Sequence, residues 1–134
     1  MGANKEATVS DKIARLRSAF LDQLPLRMAQ IGELWEQARD GGDGQVLVEL
    51  HRKLHSLKGT GRSFGFGTVG DAVEPMEAAV RQRQAMETTP PPPAWKEETE
   101  RLFAALVKTV ASLQLPAADG EDVYPGWLKE VRNE

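Results

Sequence analysis

Apolar residues recur at intervals of three and four along most of this chain, and no stretch of useful length alternates with the period of two that a β-strand requires. The clearest example lies near the centre of the sequence, where the recurring positions are Leu47, Leu50, Leu54, Leu57, Gly61 and Phe64. On a helix these positions form one stripe, which packs against neighbouring helices. The spacing therefore predicts an all-α fold.

Helix-stopping and helix-capping residues divide the first part of the chain into two predicted helices. Ser10 or Asp11 can cap a first short helix, and Pro25 forces a break or a fresh start. A second helix is predicted to run from there to the glycine pair at 41–42, where a helix commonly ends. Both segments keep the helical spacing of apolar residues, so both are expected to bury one face.

The remaining sequence predicts three more helices. Asp43 can cap the third helix, which contains the leucine stripe. The fourth is predicted over about 68–86, with a kink at Pro75, because proline lacks the amide hydrogen that a helix needs. Four consecutive prolines at 90–93 predict an extended connector, and the fifth helix follows over about 94–113.

Short loops between consecutive helices favour antiparallel neighbours, and 134 residues fit a single domain. We therefore predict an up-down-up-down four-helix bundle, with the additional short N-terminal helix packed across one end and a possible helical piece in a C-terminal tail. The predicted boundaries are a flexible N-terminus at 1–9, the bundle at 10–115 and the tail at 116–134.

Composition excludes several classes of function. The net charge is −3, so no broad cationic surface is available to bind DNA or RNA. The chain has no cysteine, which removes disulfides, thiolate nucleophiles and zinc-finger patterns. It has neither an apolar run long enough to span a membrane nor the apolar start of a signal peptide. We expect a soluble, cytoplasmic protein, and nothing in the sequence requires more than a monomer.

Two histidines and two cationic residues fall on one side of the third predicted helix. At about 100° per residue, one strip, roughly 100° around the helix from the leucine stripe, contains His51, His55, Lys58 and Arg62. His55 is therefore expected on the flank of the helix, facing water. Cationic side chains one and two turns from an exposed imidazole suit a phosphoryl group. An ordinary solvated surface histidine is the alternative.

Two glycines follow within the same helix. Glycine in a helix costs about 1 kcal/mol relative to alanine, so Gly59 and Gly61 together need a reason. At Gly59, bare helix surface beside His55 would let a partner protein bring a loop and a metal ion close to the ring. Alternatively, the helix is already fraying toward Gly65 at these positions.

The segment HSLKGTGRSFGF at 55–66 resembles the active-site helix of histidine-containing phosphotransfer (HPt) domains, and specifically that of the N-terminal phosphotransfer domain of chemotaxis-type histidine kinases. The segment PMEAAV at 75–80 is similar to that group's Met-Glu segment, at the same distance from the histidine. The resemblance covers roughly 24–114, with its specific part confined to 50–80. It implies that the chain carries a phosphoryl group on a histidine.

The resemblance implies that His55 is phosphorylated, that Lys58 holds or neutralises the phosphoryl oxygens, and that Gly59 gives the partner access. Glu77 falls where chemotaxis-type domains have a glutamate hydrogen-bonded to the imidazole. A carboxylate that accepts a hydrogen bond from Nδ1–H fixes the tautomer in which Nε2 presents its lone pair outward. Glu74 lies on the same predicted helix and could do this instead, and a merely solvated glutamate is the other alternative.

Two positions depart from the family pattern. Pro75 replaces an ordinary apolar helix residue, which bears on the exact placement of the glutamate two residues later. Arg62 is bulkier than the small residues often found at its position, so we expect it to narrow the docking surface. The other candidates for access and docking are His51, Val48, Gly59 and Ser63.

The chain has no Gly-rich nucleotide loop and no carboxylate cluster beside His55, so we do not expect it to phosphorylate itself or to bind a cofactor. The resemblance implies a carrier in bacterial two-component signalling and not an enzyme in its own right. His55 would accept a phosphoryl group from a histidine kinase or a phosphorylated receiver domain and pass it to a response-regulator aspartate. Mg²⁺ is expected from the partner during transfer.

Two other functions are consistent with the sequence. His51 and His55 have the i, i+4 spacing with which two imidazoles can share one metal ion, but Arg52 stands where a zinc-protease motif has glutamate. We therefore expect no metal. The second alternative is a structural bundle that binds a partner without phosphotransfer.

Overall fold

In a computed structural model of the protein, the described residues are 3–87 and 90–113, and those before residue 9 are described by their backbone only. They form four α-helices and no strand. In chain order the helices are α1 (Ala3–Arg39), α2 (Gly44–Ser63), α3 (Gly67–Ala85) and α4 (Pro93–Ala111). α2 packs against α1 and α3, and α4 packs against α3 and α1, so the helices enclose one core. The prediction of an all-α four-helix bundle is confirmed.

The first helix differs from its prediction. α1 is one helix of 37 residues, so the break predicted at Pro25 does not occur, and the predicted short helix is the N-terminal part of α1. The helix also begins at Ala3, earlier than the predicted caps. An interior proline costs about 3 kcal/mol, whereas each large side chain that is buried contributes about 1.5–3 kcal/mol. The helix continues because buried side chains lie on both sides of the proline: Phe20, Leu24, Met28 and Ile31.

The core combines the apolar stripes of all four helices. Its largest fully buried side chains include Leu24, Met28, Ile31, Leu50, Leu54, Leu57, Met76 and Leu106. Trp35 of α1 and Trp95 of α4 meet edge to face, with ring centroids 5.5 Å apart. The indole N–H of Trp95 donates to the carbonyl of Ala79 in α3 over 2.8 Å, which satisfies the one polar atom of that buried ring. These contacts tie α4 to both α1 and α3.

Both ends of α2 are set by residues that the sequence pattern singled out. Asp43 caps the N-terminus, because its carboxylate accepts a backbone amide hydrogen three residues later over 3.1 Å. At the other end α2 continues to Ser63, so Gly59 and Gly61 lie inside the helix and the fraying alternative is wrong. Gly65 then adopts a φ of +86°, a left-handed conformation that favours glycine, and the chain turns into α3.

Gly61 faces α3, and a Cβ at this position would make ordinary van der Waals contacts. A Cβ at this position would lie 3.5 Å from the side chain of Val69 and 3.4 Å from the carbonyl oxygen of Phe66. The amide of Phe66 donates to the carbonyl of Gly61 over 2.7 Å, which closes the turn between the helices. This hydrogen bond and the contact of Gly61 with Val69 set the position of α3 along α2, and that position decides which α3 residues face the histidine strip.

The boundaries of α3 and α4 lie close to those predicted. Pro75 lies inside α3, exposed to solvent, and the helix continues past it. Pro93 is the first residue of α4, where a missing amide hydrogen costs nothing, so the extended connector stops one residue earlier than predicted.

The tail at 116–134, with its predicted helical piece, lies outside the described residues, and the predicted domain boundaries stay predictions. Within 3–87 and 90–113, no helix has the length and apolar content needed to cross a lipid bilayer.

Candidate functional site

A buried carboxylate on α3 receives three nitrogen-bearing side chains from α2. Glu77 is only 3% exposed. Its Oε1 lies 2.5 Å from Nζ of Lys58, and its Oε2 lies 2.8 Å from Nδ1 of His55 and 3.2 Å from Nε2 of His51. We call these four residues the Glu77 cluster.

The helical repeat explains why three α2 residues meet one carboxylate. His51, His55 and Lys58 are separated by four and three positions, so they follow one another along a single side of α2. α3 packs beside this strip, with Met76 in the core. Glu77, the next residue, lies at the edge of the α3 core stripe and reaches α2 at the level of His55.

Burial and pairing act in opposite directions on Glu77. Burial raises the pKa of the carboxyl group, but hydrogen bonds and electrostatic interactions with Lys58 and His55 outweigh burial, and the pKa lies below its ordinary value. Glu77 is therefore an ionised carboxylate at neutral pH, with its negative charge held inside the α2–α3 interface.

The contact with Glu77 determines which nitrogen of His55 faces outward. A carboxylate can only accept a hydrogen bond, so Nδ1 of His55 must carry the hydrogen of the 2.8 Å contact. In the neutral ring the lone pair then lies on Nε2. Because the side chain is 67% exposed, this lone pair is accessible to a reagent in solvent. The site thus presents one oriented nucleophilic nitrogen.

Lys58 is close to the imidazole, yet its ammonium is occupied by Glu77. The Lys58 side chain is 18% exposed, and its Nζ is bound to the carboxylate oxygen that His55 does not use. Lys58 and His55 are therefore linked through the two oxygens of one carboxylate. The structure brings together three residues predicted for the site: His55, Lys58 and Glu77.

The two glycines of α2 have different surroundings. Nothing lies within 4 Å of a Cβ built on Gly59, which is exposed one turn after His55. Gly61, in contrast, is buried against α3. Only Gly59 leaves bare helix surface beside the imidazole.

Arg62 belongs to a separate cluster. Its Nη2 donates to Oδ1 of Asp71 over 3.2 Å and to Oε2 of Glu74 over 3.4 Å. These three residues form the Arg62 cluster, which is exposed. The alternative in which Glu74 contacts the imidazole is therefore not the one that the structure adopts, because Glu74 faces Arg62 and Glu77 faces His55.

The remaining docking candidates lie on the surface of α2. Val48 is 41% exposed although it is apolar, and Ser63 is exposed at the last turn of the helix. Neither residue lines the groove between α1 and α2, whose lining includes Leu26, Arg27, Arg52, Lys53 and Ser56. The sequence analysis missed this groove. Its signal is Leu26, which lies off the buried stripe of α1 and is exposed.

The contact between His51 and Glu77 was also missed, since His51 was considered only as a docking residue or a metal ligand. The available signal is its position seven residues before Lys58, on the same side of the helix. In the part of the chain that the structure describes, no group of three or more histidine and acidic side chains could hold a metal ion.

A comparison with protein families gives a match over most of the chain. The family model of the Hpt domain matches residues 15–108, which is more than half of the chain. No curated protein and no solved structure gives a significant match. The chain therefore belongs to the Hpt domain family.

Proposed function

We propose that this protein is a phosphorelay intermediate that accepts a phosphoryl group on Nε2 of His55 and passes it to an aspartate of a response regulator. Membership of the Hpt family implies histidine phosphotransfer in phosphorelay signalling, by a carrier and not by a kinase domain. The observation that supports His55 as the acceptor is its 2.8 Å contact with buried Glu77 together with its exposed ring.

The proposed transfer is a single displacement at phosphorus. The Nε2 lone pair forms the N–P bond while the P–O bond to the donor's aspartate breaks, and the aspartate leaves with the electron pair as a carboxylate. The ring keeps its hydrogen on Nδ1 and becomes positively charged, and Glu77 balances that charge across the contact with Nδ1. Donation to a receiver aspartate is the reverse reaction.

The charge on the moving phosphoryl group needs cations. We propose that Lys58 neutralises phosphoryl oxygens through its field, from its place on Glu77 one turn from the acceptor. Mg²⁺ and further positive charge would come from the receiver domain or kinase, because phosphoryl transfer depends on such groups.

The proposed partners are a response-regulator receiver domain and a histidine kinase of a bacterial, cytoplasmic two-component system. Gly59 gives a partner loop room beside His55, while Val48 offers an apolar contact and Ser63 a small polar one. Arg62 stays on the α3 side of this surface, held by Asp71. The contact of Glu77 with the imidazole also supports the resemblance to chemotaxis-type phosphotransfer domains.

Incubation with a receiver domain that carries a labelled aspartyl phosphate tests the proposal. We expect acid-labile label on the wild-type protein and none on His55→Gln. His51→Gln is the matched control, because it removes the other histidine and leaves the acceptor in place. Unlabelled wild type, or label that persists in His55→Gln, would contradict the proposal.

A further inference from the structure

The environment of His51 is unusual for a ring near the surface. Its Nε2 is buried and lacks a partner with hydrogen-bonding geometry, and the group that it faces is Oε2 of Glu77, 3.2 Å away. The ring also stacks on the acceptor imidazole, with centroids 6.1 Å apart and planes 21° from parallel. One carboxylate oxygen is therefore shared by both histidines.

The shared oxygen fixes the tautomer of His51. A lone pair on Nε2 facing a carboxylate oxygen at this distance would be repulsive, so Nε2 must carry the hydrogen. His55 carries its hydrogen on Nδ1 for the same reason. The two imidazoles thus adopt opposite tautomers, although they lie one turn apart on the same helix. With Nε2 of His51 protonated and buried, only His55 presents a Nε2 lone pair to solvent.

From this geometry we infer that His51 is a positioning residue for the phosphoryl acceptor: its Nε2–H, 3.2 Å from Oε2 of Glu77, attracts that oxygen electrostatically and so keeps it against Nδ1 of His55. This inference rests on the proposed function of His55. Lys58 alone could not fix the orientation of the carboxylate, because four rotatable bonds precede its ammonium, whereas His51 has two and is further restrained by stacking.

The groups around the carboxylate support this assignment. Oε1 is bound by Lys58, so the carboxylate can still rotate about its own bond unless Oε2 is held too. On α3, the neighbouring acidic residues Asp71 and Glu74 are bound to Arg62 and do not compete for the imidazoles. In the described part of the chain, Oε2 contacts two side chains, the acceptor His55 and His51.

The test measures histidine tautomers by ¹⁵N NMR on the full chain, without any phosphoryl donor, at a pH at which the nitrogen chemical shifts show both rings to be neutral. In the wild type we expect hydrogen on Nε2 of His51 and on Nδ1 of His55. In His51→Leu, the His55 population should shift toward the Nε2–H form that a free histidine side chain prefers. His51→Gln, whose amide supplies an N–H at a similar reach, should restore the wild-type tautomer.

The same variants connect the tautomer to transfer. The rate of label transfer to His55 should fall on the order of tenfold in His51→Leu and recover in His51→Gln, because a small misplacement of a reacting group slows a reaction by such factors. Unchanged far-ultraviolet circular dichroism confirms that both variants are folded.

Two outcomes would overturn the inference: hydrogen on Nδ1 of His51 in the wild type, or an unchanged His55 tautomer in folded His51→Leu. Both leave the proposed function standing if label still reaches His55. Absence of label from the wild type removes the proposed function and leaves the tautomer result intact.

Discussion

Two charged clusters cross the interface between α2 and α3, and they are built in opposite ways. In the Glu77 cluster, one buried carboxylate from α3 is surrounded by side chains of α2. In the Arg62 cluster, one cation from α2 is held between two exposed carboxylates of α3. Both clusters join the same helices, but the shortest contacts lie in the Glu77 cluster, and only in that cluster is the carboxylate buried. Burial, and not the number of ion pairs, therefore separates an oriented site from a solvated one.

Each cluster also has a glycine beside it, and the space next to the two glycines differs. Gly59 leaves open space next to the Glu77 cluster. The space beside Gly70 is filled, because a Cβ there would lie 2.6 Å from Cγ of Arg62. A partner can therefore approach the Glu77 cluster along bare helix, whereas the aliphatic part of Arg62 covers the equivalent space at the other cluster.

The largest effect is expected from Glu77→Gln. Removing the charge leaves Lys58 facing an amide, and breaking a buried pair costs about 3–5 kcal/mol. We expect the lower end, about 3 kcal/mol in the free energy of unfolding by urea, since His55 reaches solvent. Glu74→Gln is the matched control on the same helix and should cost less than about 1 kcal/mol. Equal losses in the two variants would contradict the role given to burial.

A smaller effect is expected from lowering the pH. The pKa of Glu77 is lower in the folded protein than its ordinary value of 4.5, so folding favours the ionised form. This stabilisation is fully present above that value and is lost as the pH falls through it toward the folded pKa. Urea unfolding across this range should show a steeper loss of stability in the wild type than in Glu77→Gln. Identical slopes would mean that Glu77 makes no contribution to the acid sensitivity.

Gly59→Ala should stabilise the protein and slow phosphoryl transfer from its partner. Alanine gains about 1 kcal/mol over glycine inside a helix, and the added methyl group meets nothing within 4 Å. Thermal unfolding should therefore shift upward, while label transfer from the receiver slows because the methyl group stands beside the acceptor. Gly61→Ala, the control in the same helix, should also gain stability, because its Cβ would make only ordinary van der Waals contact with Val69, but it should leave label transfer unchanged because Gly61 is buried against α3. Unimpaired transfer in Gly59→Ala would remove the access role of this glycine.

The smallest effect is expected from Arg62→Gln. Exposed ion pairs contribute about 0–1 kcal/mol and are screened by salt. We expect a loss of about 0.5 kcal/mol in urea unfolding at low ionic strength and less at high ionic strength. A loss of unfolding free energy as large as that of Glu77→Gln would contradict the view that the exposed cluster contributes less to stability than the buried one.

Much of this arrangement follows from local patterns in the sequence. The leucine stripe, the Asp43 cap and the flank position of His55 depend on a helical repeat and on capping chemistry within a few residues, and sequence displays both. The continuity of α1 through Pro25 does not follow from such patterns. It depends on tertiary burial on both sides of the proline, which local helix rules do not include.

Local sequence patterns also could not show whether Glu74 or Glu77 contacts His55. Both residues lie on α3, one turn apart, and either one suits a histidine by chemistry alone. The turn at Gly65 and the packing of Gly61 against Val69 set the position of α3 along α2, and that position brings Glu77 to His55 and Glu74 to Arg62. The contact of His51 with the same carboxylate depends on this long-range register as well.

Because α3 packs against α2 at Gly61, the site depends on both helices, and α2 alone cannot form it. Because the group that orients the imidazole comes from α3, a synthetic peptide of α2 would contain His55 and Lys58 but no carboxylate opposite them. A slip of α3 by one residue would carry Glu77 about 100° around its axis and away from the ring. The reactivity of His55 toward phosphorus therefore depends on how α2 and α3 pack together. Weakening that packing would lower the reactivity without any change in the histidine itself.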